Sequence, residues 1–81
     1  MIIQALFFAS YRDVAGQDSM EVELPENATA GDLVALLRQK GAAWQRLPTD
    51  PVVAVNAEYA ALSTPLRPGD EVAFIPPVSG G

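Results

Sequence analysis

The chain has 81 residues, almost half of them apolar, and a formal charge of −5. That is enough for one small globular domain with a single core, and too apolar for disorder. Cysteine and histidine are both absent, which excludes a disulfide, a thiol nucleophile, an imidazole base and a thiolate metal site, so no metal is expected.

Ile2 to Phe8 reads as a strand, with Ile3, Ala5 and Phe7 on one face and Gln4, Leu6 and Phe8 on the other. Only one face is expected to meet the core, which leaves Phe8 near the surface. Ala9 to Asp18 connects it to the next strand, with Ser10 to Ala15 as a helical turn closed by Gly16. Met20, Val22 and Leu24 alternate with Glu21 and Glu23, the pattern of a half-buried strand with an acidic outer face. The first two strands are therefore expected to pair as a hairpin.

Pro25 breaks that strand. Thr29 reads as a helix N-cap, with Asp32 three residues on as its capping-box partner. Leu33, Leu36 and Leu37 give the spacing of a core stripe, and Gly41 is the expected residue just past the helix end. Ala42 to Leu47 suggests a short second helix carrying Trp44 as a lid on the core. Val52 to Val55 is an apolar strand, Asn56-Ala57 a turn, and Glu58 to Ala61 a short returning strand. Leu66 is expected to anchor the next loop. Arg67-Pro68-Gly69-Asp70 is a strong turn, and Glu71 to Ile75 is the last strand, with Val72 and Phe74 facing one way and Ala73 and Ile75 the other.

One main helix on one face of a mixed sheet of about five strands is an α+β roll. With the first and last strands side by side in its middle, it is the ubiquitin-like β-grasp. The domain is read as residues 1–75 and the tail as residues 76–81.

No apolar run approaches the length of a membrane span, and Met1-Ile2-Ile3-Gln4 lacks the basic region of a secretory signal, so a cytoplasmic location is expected. The cations are only Arg12, Arg38, Lys40, Arg46 and Arg67, which argues against nucleic acid and against an anionic membrane as partners. A partner with a basic surface is easier to accommodate.

The ending, Pro76-Pro77-Val78-Ser79-Gly80-Gly81, is the distinctive stretch. Two prolines lack N–H groups and have fixed φ, so the sheet must stop there and the chain leaves it stiff. Fully extended, the arm reaches ~20 Å. Glycine has no Cβ, so the tip suits a carboxylate that threads a narrow channel. Such a carboxylate becomes a useful electrophile once ATP converts it to an acyl adenylate. Sulfur then gives a thiocarboxylate, or an amine gives an amide. A binding domain with an inert tail remains the plain alternative, because fold alone does not assign function.

Four stretches carry a family resemblance: Leu6-Phe7-Phe8-Ala9 with Arg12 and Gly16 behind it; Ala54-Val55-Asn56; Pro65-Leu66 followed by Gly69-Asp70-Glu71-Val72-Ala73-Phe74; and the tail from Pro76 to Gly81. The chain resembles the MoaD-type sulfur carriers, the small subunits of molybdopterin synthase, within the wider MoaD/ThiS ubiquitin-like family. The resemblance implies that an E1-like (MoeB-type) adenylyltransferase uses ATP to activate Gly81, which then becomes a thiocarboxylate. The tail of Gly80, Ser79, Val78, Pro77 and Pro76 would enter a MoaE-type large subunit of a heterotetramer. There the sulfur would pass to cyclic pyranopterin monophosphate, on its way to molybdenum cofactor. The catalytic side chains would belong to the large subunit, with no cofactor bound by this chain. Phe8, Tyr59 and Ile75 match an apolar partner-binding patch, and Arg12 a polar contact beside it. Thiazole-pathway carriers and ubiquitin-like modifiers share the fold and the activated carboxylate, so both readings stay open.

Overall fold

The computed structural model describes residues 1–77. Five strands, β1 (Ile2–Phe7), β2 (Ser19–Glu23), β3 (Val52–Val55), β4 (Glu58–Ala60) and β5 (Glu71–Ile75), form one mixed sheet. Two helices, α1 (Ala9–Ala15) and α2 (Ala30–Arg38), and a 3₁₀ segment (Ala42–Arg46) complete the fold. The strand order is β2-β1-β5-β3-β4, with β1 and β5 parallel and every other pair antiparallel. This is the ubiquitin-like β-grasp topology. The first and last strands lie side by side in the middle, so the last strand leaves from the centre of the sheet.

The core takes one face of each central strand: Ile3, Ala5 and Phe7 from β1, Val72 and Phe74 from β5, and Val53 from β3. α2 covers them with Ala30, Leu33, Val34 and Leu37. Leu36, expected in that stripe, is instead 42% exposed. At 100° per residue the buried arc runs from Leu33 through Leu37 and Ala30 to Val34, and Leu36 falls about 60° outside its Leu33 edge. The expectation of one main helix is also incomplete. α1 is a full two turns and adds Tyr11 and Val14 to the buried set.

α2 begins as its sequence dictates. Thr29 Oγ1 accepts from the Asp32 N–H at 3.2 Å and the Asp32 carboxylate accepts from the Thr29 N–H at 2.8 Å, a complete capping box. Its end differs from expectation. Gly41 has φ 164 and ψ 176, an extended residue that starts the 3₁₀ segment rather than a left-handed cap. The Arg38 guanidinium closes the junction instead, donating from Nε to the Leu47 carbonyl at 2.7 Å. Gly16, by contrast, is a left-handed helix terminator, φ 73, with its N–H bonded to the Arg12 carbonyl. Trp44 is half-buried and meets Phe7 edge-on at 5.5 Å, the lid its sequence position suggested.

Asn56 joins two turns. Its Nδ2 donates to the Asp70 carboxylate at 2.9 Å, and its Oδ1 accepts from the Glu71 N–H at 3.0 Å. The β3–β4 turn is thereby tied to the start of β5. Asn56→Ala removes both bonds and places a less tolerant residue at φ 51. The expected loss is about 1–2 kcal/mol, read as a lower urea midpoint at constant m-value.

Candidate functional site

The face of the sheet turned away from α2 is built by strand alternation and register. Leu6 pairs with Ala73, Ala73 with Ala54, and Ala54 with Tyr59, which gives a row across four strands. The next row holds Ile75 beside Val52, with Phe8 just beyond the Phe7–Phe74 pair. The two alanines leave a shallow depression between Leu6 and Phe8 on one side and Tyr59 on the other, with Ile75 at its end. Phe8 is 48% exposed and Tyr59 78% exposed, both unusual for aromatic side chains of this size. The depression follows β5 from Glu71 to Ile75, and Pro76-Pro77 leave from its Ile75 end.

The opposite end of the same face is polar. Gln4 stands between Glu21 of β2 and Glu71 of β5, and its Nε2 donates to the Glu21 carboxylate at 3.2 Å. An apolar patch bordered by carboxylates is the anatomy of a docking surface for a partner with an apolar centre and basic rim.

Arg12 stands on α1 beside Phe8. Its Nη1 donates to Asp18 at 3.3 Å, an exposed ion pair that holds the guanidinium only loosely. The pair and Phe8 line a second shallow depression that shares Leu6 with the patch. The neighbouring Tyr11 phenol is pushed above its ordinary pKa by burial, and next by the Asp50 charge, so it stays protonated. Among the described residues no group of acidic side chains is arranged to hold a metal ion, and no helix is long and apolar enough to cross a membrane.

The structure thus brings Phe8, Tyr59 and Ile75 to one face of the sheet, with Arg12 on α1 beside Phe8, and Pro76 and Pro77 follow directly from Ile75. Val78, Ser79, Gly80 and Gly81 lie outside the described residues. Sequence reasoning missed Val52, Ala54 and Ala73. Ala73 had been placed on the Ile75 face by alternation, but its part in the patch follows only from the pairing register with β1 and β3.

The chain is 41% identical to the molybdopterin synthase sulfur carrier subunit of Escherichia coli, over 99% of this chain and all of that one. It is 40% identical to the protein of the same name from Chlamydomonas reinhardtii, over the whole of both chains. Among solved structures, SAMP1 (small archaeal modifier protein 1) of Haloferax volcanii superimposes with a TM-score of 0.86 at 32% identity, covering all of both chains. The ThiS family model matches residues 5–81, from the middle of β1 through the tail. The match takes in the second half of β1, all of β5, the residues of the patch and the diglycine, and the chain belongs to the ThiS family.

Proposed function

We propose that the chain is the sulfur-carrying small subunit of a molybdopterin synthase. The observation that carries this reading is the exposed apolar patch of Phe8, Tyr59 and Ile75 at the point where the central strand releases the tail. The names of the full-length relatives at 40–41% identity support it. An E1-like adenylyltransferase docks on this face and joins the Gly81 carboxylate to AMP, releasing pyrophosphate. A sulfur donor displaces AMP and leaves a thiocarboxylate. The large synthase subunit then takes the same face, and Gly80, without a Cβ, lets the tail pass its channel. The sulfur bonds to the cyclic pyranopterin, water cleaves its bond to the Gly81 acyl carbon, and Gly81 returns as a carboxylate. Both steps take place in the cytoplasm, and the working synthase is a heterotetramer.

The direct test mixes the thiocarboxylated chain with a synthase large subunit and the pterin precursor. Molybdopterin is the expected product. A second reading, a ubiquitin-like modifier, is favoured by the likeness to SAMP1. It predicts conjugates to lysines on a denaturing gel after activation by ATP and an E1-like enzyme. Such conjugates, without molybdopterin, would reverse the assignment.

The patch gives its own prediction. Phe8→Glu places a charge where an apolar partner surface must close. Affinity for the large subunit is expected to fall about 30-fold or more, the effect of losing a central aromatic anchor. Because Phe8 is exposed, the melting temperature should barely move. Calorimetric titration and thermal melting of the same sample check both halves.

A further inference from the structure

Four residues other than glycine have a left-handed backbone among the described residues: Ala9 (φ 47), Asn27 (φ 67), Asn56 (φ 51) and Ala57 (φ 71). Asparagine tolerates this region and alanine is strained in it. Both strained alanines abut the patch. Ala9 directly follows Phe8, and Ala57 lines the depression with Ala54 and Tyr59.

Each lies within two residues of one aromatic rim. β1 passes into α1 without a loop. Phe8 is still extended, φ −118 and ψ 151, so it keeps the outward direction that strand alternation gives it. Ala9, with its positive φ, stands at the junction between the extended Phe8 and the rest of α1. Across the face, Asn56-Ala57 is a two-residue turn with both φ values positive, and it sets the Ala54–Tyr59 pairing.

We infer that Ala9 and Ala57 are positioning residues, each holding a strained left-handed turn that fixes Phe8 and Tyr59 as the two rims of the partner-docking face. The inference rests on the docking role proposed above. Glycine would adopt the same φ without strain, but it would also adopt many others. An aromatic rim hinged on glycine must be ordered at the moment of binding, and that ordering weakens affinity. The alanine methyl keeps the hinge narrow before the partner arrives.

The test compares three residues at each position, made by chemical synthesis of the chain: the natural L-alanine, glycine and D-alanine. D-alanine favours positive φ, so it removes the strain while keeping the restriction. Ala9→Gly and Ala57→Gly are expected to melt at or slightly above the wild-type temperature, yet to bind a molybdopterin synthase large subunit ~3–10-fold more weakly. D-alanine should restore wild-type affinity and raise the melting temperature. A residue with only a structural role would show no such split between glycine and D-alanine.

Backbone order parameters of Phe8 and Tyr59 in the free chain provide a readout independent of any partner. They should fall from ~0.85 toward ~0.6 in the glycine variants and recover with D-alanine. Unchanged order parameters, or D-alanine binding as weakly as glycine, would overturn the inference. If the wild-type chain does not bind the large subunit, the proposed function fails, and the order parameters still decide whether these alanines hold the rims.

Discussion

Deleting Gly81 is expected to abolish sulfur transfer while leaving the melting temperature of the domain unchanged. The two halves have separate causes. The last residue of β5 is Ile75 and the last fully buried side chain among the described residues is Phe74, so the core of the described domain closes before Pro76. On the proposed function, the chemistry depends on that position entirely. A chain shortened by one residue still ends in a carboxylate, but its acyl carbon sits ~3.5 Å back along the arm. Misplacing a reacting group by about 1 Å already lowers rates ~100-fold, so a full residue should put transfer below detection. The stiff Pro76-Pro77 pair leaves little slack to make up the distance. Intact mass after activation and product formation with the large subunit report the two steps separately. Undiminished molybdopterin from the shortened chain would remove Gly81 from the mechanism.

Much of the fold was legible because local and long-range signals agree. The alternation in Ile2–Phe7 and Glu71–Ile75 placed every core residue of both central strands, and Thr29 with Asp32 marked the start of α2 before any packing was considered. The errors fall where packing decides. Leu36 reads as core by spacing, but the arc that α2 buries is set by where the sheet lies beneath it, and Val34 takes that place. Gly41 reads as a helix cap by composition, yet the Arg38 bond to the Leu47 carbonyl ends the helix without a left-handed residue. Phe8 and Ile75 were assigned one face by alternation alone. Alternation does not reach Tyr59, because its face depends on the pairing of β4 with β3, a register set by a turn and not by the residues in the strand, and only the family resemblance points to it. The strain at Ala9 and Ala57 had no sequence signal, because alanine is a poor marker of positive φ.

Phe74→Ala is expected to be the most damaging single substitution in the domain. Phe74 is fully buried at the middle of the sheet, between Phe7 on β1 and Val53 on β3. Its ring stacks on Phe7 at 5.4 Å, and Phe7 in turn meets Trp44 at 5.5 Å, so three aromatic rings lean on one another. Removing the ring from the centre of a hydrogen-bonded sheet opens a cavity that the neighbouring strands cannot collapse to fill, a loss of about 3–5 kcal/mol. A domain of this length has on the order of 4–12 kcal/mol in total, so the variant should be marginal at physiological temperature. The melting temperature should fall by about 15–30 °C. Phe74→Leu keeps most of the volume and should lose only about 1–2 kcal/mol. The docking patch occupies the reverse side of the same strands, and the side chain of Phe74 does not reach it. Chain that remains folded at low temperature should therefore bind the large subunit with affinity close to wild type. A Phe74→Ala protein that melts normally but fails to bind would mean that the core and the docking face are coupled, against the separation of roles that strand alternation imposes.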